Sequence, residues 1–408
     1  MIKSTKTTLK FSNANKLKSL GLFVDEYRHV VSLFVDVLWE AEAVTSFLNS
    51  ELTSNVDSWL SLRAIQCAGK QASGIVRGCR KKQSKRAFQI NKFNKDGMFK
   101  KARKLQAIYD NIKLSKPNIQ LVQPELDSRF VNIDLDNSTA FDGWLTLTSL
   151  GNTLKLVIPF KKTKHFNKML NLGIIKRGVR ISKENVTLMF DIIEPTLVQD
   201  GKTIGIDIGQ TTTLTCSNGQ CIEADKHGHS YKSICQTLAR KKKGSRNFAQ
   251  TEAHRNNYIH WSINQLNLTG IQKVKLEGIK HLRRGKRSSR LLSHWNYAAL
   301  VGTLTEKLND AGVQIIKVSP TYTSQRCSSC GWTRKKNRKG KQFKCDKCSF
   351  ECDADLNGSL NISLNLSAIS KKERLQQKNR AGFYWNVASE APIVPRVQKT
   401  KNKFQHSL

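Results

Sequence analysis

Acid is scarce in this chain. Its 408 residues carry 31 Asp and Glu against 69 Lys and Arg, a formal net charge of +38. Such a surplus repels itself unless a polyanion neutralises it. The cations recur along most of the length, so an extended partner is expected. Nucleic acid fits, because each neutralised phosphate releases counterions and adds affinity. A basic soluble protein of the ribosome-associated kind is the plainer reading of charge alone. An anionic membrane surface fits less well, since no isolated basic amphipathic helix stands out. Long apolar runs are missing too: no stretch approaches about 18 uninterrupted apolar residues, so no membrane-spanning helix is expected. The N-terminus, MIKSTKTTLKFSNANK, lacks the apolar core of a signal peptide.

Cysteine is not lacking. With no sign of export, the ten cysteines are expected in a reducing compartment, where paired cysteines point to metal rather than to disulfides. CSSC (Cys327, Cys330) and CDKC (Cys345, Cys348) flank fourteen residues with a basic turn. Two such knuckles supply four thiolates with tetrahedral reach, a structural Zn²⁺ ribbon. Cys352, just beyond, reads as a small packing residue rather than a spare ligand. Cys67, Cys79, Cys216, Cys221 and Cys235 show no ligand spacing.

Periodicity divides the rest. Residues 12–48 read as a helix, with Leu20, Phe23, Tyr27, Val30, Phe34 and Leu38 at three- and four-residue steps and Ser12 or Asn13 as the cap. The segment 80–104 is dense in cations with three phenylalanines interleaved. It reads either as a solvated helix face or, given the net charge, as a surface along a nucleic-acid backbone. From Pro117 to about 195 short alternating runs such as RFVNIDL, TLKLVIPF and NVTLMFDII suggest an antiparallel, barrel-like β-domain, with the basic break at 161–168 as a loop.

From Asp200-Gly201 onward the order changes. Three strands, the last two joined by Asn218-Gly219, precede a helical stretch, a strand (273–279), an amphipathic helix (294–312), a strand (313–319), the cysteine module and a helix from about 355. Three antiparallel strands, helix, strand, helix, strand, helix is the order of an RNase H-like domain. The cysteine module then stands as an insert before its last helix. No internal repeat is present, and the basic tail from about 392 is expected to be disordered.

Three scarce carboxylates fall where that layout brings chain ends together. Asp207 lies on the first strand in TIGIDIG, Glu277 ends the fourth in VKLEGI, and Asp355 opens the last helix. A charge inside an apolar run is costly unless it is paired or binds metal. Three carboxylates in one small volume repel each other unless divalent cations neutralise them. Their hard oxygens suit Mg²⁺ or Mn²⁺. Two such ions about 4 Å apart hydrolyse phosphodiesters. Singly, each acid is more simply a strand end or cap residue.

TIGIDIG, VKLEGIKHL, HWNYAALVGTLTEKLNDAGVQIIKVSPTYTSQRCSSCG and CDADLNGSLNI resemble the TnpB proteins encoded by transposons and the related miniature type V CRISPR effectors. The resemblance covers about residues 200–370. It implies a RuvC-like domain in which Asp207, Glu277 and Asp355 cleave DNA, the last in a motif completed by Asn357 and Asn361. It also implies a structured guide RNA that pairs with one strand of a double-stranded target DNA, with N-terminal helical and β-domains reading a short flanking motif. One metal-dependent site would cut both strands in turn. Arg326, beside the first zinc cysteine, and Asn357 are its candidate auxiliaries, and residues 281–290 a nucleic-acid contact. Gly358 and Ser359 depart from the small helix formers usual there and weaken that helix.

On this reading the chain is a multidomain α+β protein of the prokaryotic cytoplasm, associated with the nucleoid, a monomer or a dimer on one RNA. Residues 1–11 supply the first strand of a β-rich wedge domain that continues at 117–200, and 12–116 form a helical recognition domain. Residues 201–320 and 352–391 make the nuclease domain, 321–351 the zinc ribbon and 392–408 the tail. An unguided nuclease or transposase would be expected to show a dimerisation segment, which is not evident. A guide-bound repressor would be expected to lack one of the three acids.

Overall fold

The computed structural model describes residues 1–46, 48–111, 114–135, 139–279 and 289–388. The basic tail and residues 281–288 of the basic stretch discussed above lie outside these. Two compact units form, Met1–Glu194 and Pro195–Leu408.

In the first unit, β1 (Ile2–Thr8) precedes helices α1 (Ala14–Glu40), α2 (Ser50–Ser54), α3 (Leu62–Lys95) and α4 (Phe99–Asp110). Strands β2 (Glu125–Leu126), β3 (Val131–Asp134), β4 (Gly143–Leu147) and β5 (Leu156–Phe160) follow, then helix α5 (Lys164–Leu172) and strands β6 (Gly173–Ile181) and β7 (Asn185–Ile192). The apolar stripe makes α1: Leu20, Phe23, Tyr27, Val30, Phe34 and Leu38 are all buried, and the Asn13 side chain caps the helix by accepting from the Lys16 amide. The helix stops at Glu40, short of residue 48. Every strand pair in this unit is antiparallel. The sheets run β1-β7-β6-β2 and β3-β4-β5, and among the described residues no ladder joins them into a closed barrel.

The basic break at 161–168 is not a loop throughout. It enters α5, which Thr163 caps by accepting from the Phe166 amide. Phe166 and Met169, one turn apart, are buried, and Phe166 meets Phe190 edge-on at 5.1 Å. The interleaved cations hide this two-residue apolar stripe, which is too short to register as a period.

In the second unit come β8 (Lys202–Asp207), β9 (Leu214–Cys216), β10 (Cys221–Ile222), α6 (Tyr231–Arg240), α7 (Arg246–Asn264), β11 (Ile271–Glu277), α8 (Arg290–His294), α9 (Tyr297–Asp310) and β12 (Gln314–Val318). After these stand β13 (Trp332–Thr333), β14 (Arg338–Lys339), β15 (Gln342–Lys344), β16 (Glu351–Asp353), α10 (Ala354–Ser363), α11 (Lys371–Lys378) and β17 (Phe383–Tyr384). The main sheet runs β10-β9-β8-β11-β12. β8 is antiparallel to β9 and parallel to β11, which is parallel to β12. Parallel pairing of β8 with β11 sets Ile206 beside Leu276, so the next residue of each strand, Asp207 and Glu277, emerges at the same edge. Ile204, Ile206, Val274 and Leu276 anchor the strands in a core shared with Leu300, Leu304 and Leu308 of α9. Each such side chain contributes about 1.5–3 kcal/mol by burial.

α10 lies directly on β8. A Cβ at Gly205 would stand 2.2 Å from the Ser359 carbonyl oxygen, and one at Gly358 would stand 3.1 Å from Asp207 Oδ2. The small residues in α10 therefore cost some helix propensity and in return let the helix approach the strand that carries Asp207.

Candidate active site and four-cysteine cluster

Asp207 ends β8, Glu277 ends β11 and Asp355 stands in the first turn of α10. The structure brings the three together closely enough for their charges to interact. Burial first, then Glu277 and Asp355, push the Asp207 carboxyl up to about 7, against partial relief from Arg338 and the Ile208 amide. Burial also raises Glu277, opposed by a hydrogen bond from Thr323 and by Arg338. The Thr323 hydroxyl donates to Glu277 Oε1 at 2.5 Å. Tyr297 donates to the Glu277 carbonyl at 3.0 Å; burial, with Glu277 and Asp207 behind it, lifts its phenol to about 12.

Asp353, two residues before Asp355, has a defined task. Its Oδ1 accepts from the amides of Asp355 at 2.8 Å and Leu356 at 3.0 Å, which makes it the N-cap of α10. The two aspartates of CDAD thus divide the work: Asp353 sets the start of the helix, and Asp355 presents a carboxylate from it.

Arg338 is the residue that motif reading did not single out. From β14 its Nη2 donates to Asp355 Oδ1 at 2.8 Å, and its charge is felt at Asp207 and Glu277 as well. In sequence it is one cation in a basic turn. Register decides: β14 pairs with β15, and β15 with β16, which leads into α10. Lys341, from the same turn, donates to Thr212 Oγ1 at 2.8 Å and to Glu223 at 3.0 Å, strapping the cysteine module to the loop after β8.

The ligand sulfurs of Cys327, Cys330, Cys345 and Cys348 all lie within 4.8 Å of one another. Cys327 and Cys348 are 3.6 Å apart, as are Cys330 and Cys345. Four thiolates about 2.3 Å from a tetrahedral ion stand about 3.8 Å apart, so the donor set fits a metal. Gly331 and Ser349, each directly after the second cysteine of its knuckle, have φ of 79° and 59°, which closes both turns. Cys352, expected to pack rather than bind, sits in β16 opposite Phe343, against the cysteine cluster. Among the described residues only the cysteines form so tight a ligand set. The three carboxylates are spread wider, as two ions about 4 Å apart allow.

The two candidate auxiliaries, Arg326 and Asn357, are both buried in hydrogen bonds. Arg326 is 4% exposed. Its guanidinium donates to the carbonyls of Trp385 at 2.7 Å and Cys327 at 3.0 Å and to Asn361 Oδ1 at 2.7 Å. Those bonds make it a brace between α10, the first cysteine knuckle and the Trp385 backbone. Asn357 is fully buried, donating to the Arg326 carbonyl at 2.8 Å and accepting from the Ser328 amide at 3.0 Å. Asn361 donates to the carbonyls of Thr323 at 3.0 Å and Arg326 at 2.7 Å. The two asparagines thus tie α10, the helix that carries Asp355, to the chain around Arg326 and Ser328.

In comparisons with known proteins, residues 297–362 match the Cas12f1-like, TNB domain family. CRISPR-associated endodeoxyribonuclease Cas12f1 of Sulfoacidibacillus thermotolerans is 36% identical over 119 residues, which is 29% of this chain and 27% of that protein. InsQ of Escherichia coli (strain K12) is 46% identical over 52 residues, 12% of this chain and 13% of InsQ. The chain thus matches about a quarter or less of the length of these relatives. The fold is similar to that of Alicyclobacillus acidoterrestris C2c1 in complex with single-guide RNA: TM-score 0.57 at 7% identity, covering 89% of this chain and 88% of that one. In sequence, the chain is thus similar to Cas12f1 and InsQ over part of its length, and residues 297–362 carry the Cas12f1-like, TNB domain match.

Proposed function

We propose that this protein is an RNA-guided DNA endonuclease that hydrolyses phosphodiester bonds of target DNA beside a short flanking motif, with Asp207, Glu277 and Asp355 as the catalytic carboxylates. The observation that carries the reading is their meeting at one edge of the sheet, with Asp207 held near 7 by burial and its two neighbours. Hard oxygen donors that repel one another this strongly fit Mg²⁺ or Mn²⁺, and Asp207, Glu277 and Asp355 would hold them. When bound, two such ions supply an activated water and stabilise the leaving oxygen.

The chain's own residues prepare that site. Thr323 orients one oxygen of Glu277, Arg338 holds Asp355, and the Asp353 cap fixes the first turn of α10. Cys327, Cys330, Cys345 and Cys348 would hold a structural Zn²⁺, and so stiffen the β14–β16 ribbon from which Arg338 and Asp355 are placed. On this reading residues 201–320 and 352–391 are a RuvC-type, RNase H-like domain, with 321–351 its zinc-ribbon insert. The β-rich segments 1–11 and 117–200 and the helical segment 12–116 then serve recognition. The net charge of +38 suits a protein holding an RNA scaffold and a guide–target duplex mainly by their backbones. A prokaryotic cytoplasm with nucleoid DNA is the setting this requires.

The test is to sequence the RNA that copurifies when the protein is expressed with its native flanking DNA, and then to assay cutting of the DNA its variable end specifies. A discrete structured RNA and Mg²⁺-dependent cutting are expected; Asp207→Ala removes the cutting and leaves RNA binding intact. Bulk RNA, or none, overturns the guided reading.

A further inference from the structure

Next to the carboxylate site, a cavity of about 490 Å³ opens beside the edge strand β12. It falls within the roughly 300–1,000 Å³ of small-ligand sites. Lys275, from the middle of β11, stands in its wall, and Arg374 of α11 lines it as an exposed second cation. Trp385, Leu366 and Ile369 form an apolar wall, and the hydroxyls of Thr321 and Thr323 and the amide of Asn365 also line it. The wall is built rather than incidental. The Trp385 indole donates to the Ser367 carbonyl at 2.9 Å, and Leu366 bridges to Val387.

Lys275 is the unusual member. It is 4% exposed, and its ammonium donates to the Ser363 carbonyl at 2.8 Å and to Asn365 Oδ1 at 2.6 Å, both neutral acceptors. Ser363 ends α10, and a helix C-terminus offers about half a negative charge. The remaining positive charge is buried, in a wall of a cavity, with no carboxylate among its recorded hydrogen-bond and ion-pair partners. Buried charges are ordinarily matched, and an anion in the cavity would supply that match.

An apolar aromatic wall, a row of hydroxyl and amide groups, and two cations match a base, a sugar and a phosphate respectively. We propose that this cavity binds one nucleotide unit, its phosphate against Lys275 and Arg374 and its base against Trp385, Leu366 and Ile369. The unit is either a free mononucleotide or one residue of a bound strand. Thr323 lines the cavity and also holds Glu277 Oε1, so the occupant sits one side chain away from the carboxylate site. The inference rests on the cavity and Lys275, and its test reads binding, not cutting, so it stands or falls apart from the nuclease assignment.

The test is titration calorimetry on the full chain with three probes: AMP, inorganic phosphate and a 5′-phosphorylated tetranucleotide. Because a basic surface binds oligonucleotides anywhere, the variants carry the decision. Arg374→Gln, an exposed substitution, removes one charge-assisted contact and is expected to weaken binding about tenfold or more. Leu366→Trp fills the cavity and is expected to abolish binding; Lys275→Met should do the same, and the first two variants decide if it does not fold. AMP binding that both variants weaken identifies a free nucleotide. Tetranucleotide binding with one-to-one stoichiometry and the same sensitivity, without AMP binding, identifies a strand residue. Phosphate binding as tightly as AMP, or affinities unchanged in Arg374→Gln and Leu366→Trp, overturns the proposal.

Discussion

Replacing Asp207 by asparagine should make the protein more stable, and increasingly so as pH rises. In the absence of divalent ions the Asp207 carboxyl is lifted from 3.8 to about 7, by burial first and then by Glu277 and Asp355. Between those values the folded chain keeps a proton that the unfolded chain has released. The raised value therefore costs stability as pH climbs through that window, and the cost levels off above about 7. Converted at about 1.36 kcal/mol per pH unit, the full penalty is about 4 kcal/mol at most, since the side chain is only half-buried. For a unit of this size that is an increase of roughly 10 °C in Tm. The assay is thermal unfolding of the C-terminal unit from pH 5 to 8, in buffer freed of Mg²⁺ by dialysis without chelator so that zinc stays bound. Wild type should lose stability across the range and Asp207→Asn should lose much less, with the gap widest at pH 8. Added Mg²⁺ should stabilise wild type more than the variant. Melting curves that stay parallel from pH 5 to 8 would refute the reasoning.

Cys327→Ser should release zinc, seen by metal analysis, and with it cutting, because the ribbon that places Arg338 and Asp355 loses its clamp. A zinc-free variant with full activity would sink that role. Gly358→Ala should gain about 0.5–1 kcal/mol of helix propensity yet weaken Mg²⁺ binding. Its new methyl group would lie about 3.1 Å from Asp207 Oδ2 and would crowd the carboxylate; unchanged cation affinity by calorimetry would contradict the close approach.

Much of the fold was legible because its signals are local. The α1 stripe, the Asn218-Gly219 hairpin and the strand–helix alternation after residue 200 each follow from periodicity or turn chemistry within a few residues. Glu277 and Asp207 stood out because a carboxylate in an apolar strand needs a reason, and the two knuckles because four cysteines at that spacing need a common partner. Helix α5 was not legible, since its two buried residues, Phe166 and Met169, are too few to set a period. The bonds of Arg326 were not legible for a related reason: its place beside Cys327 says nothing of the Trp385 carbonyl, 59 residues away in sequence, that receives its Nε.

What the sequence by itself determined is therefore the inventory: most of the helices and strands, the two acids costly inside apolar strands, and the four thiols at ligand spacing. Only the tertiary structure decided who faces whom. The register of β14, β15 and β16 singles out Arg338 from a basic run and sets it on Asp355. Gly205 and Gly358 turn a weak helix into one that can lie against β8, and Asn357 and Asn361 tie that helix to the cysteine module. The physical reason is range. Propensity and hydrophobic period act over a few residues and are written in the local sequence. Charge pairing, buried hydrogen bonds and close backbone approach depend on distances that chain folding alone creates.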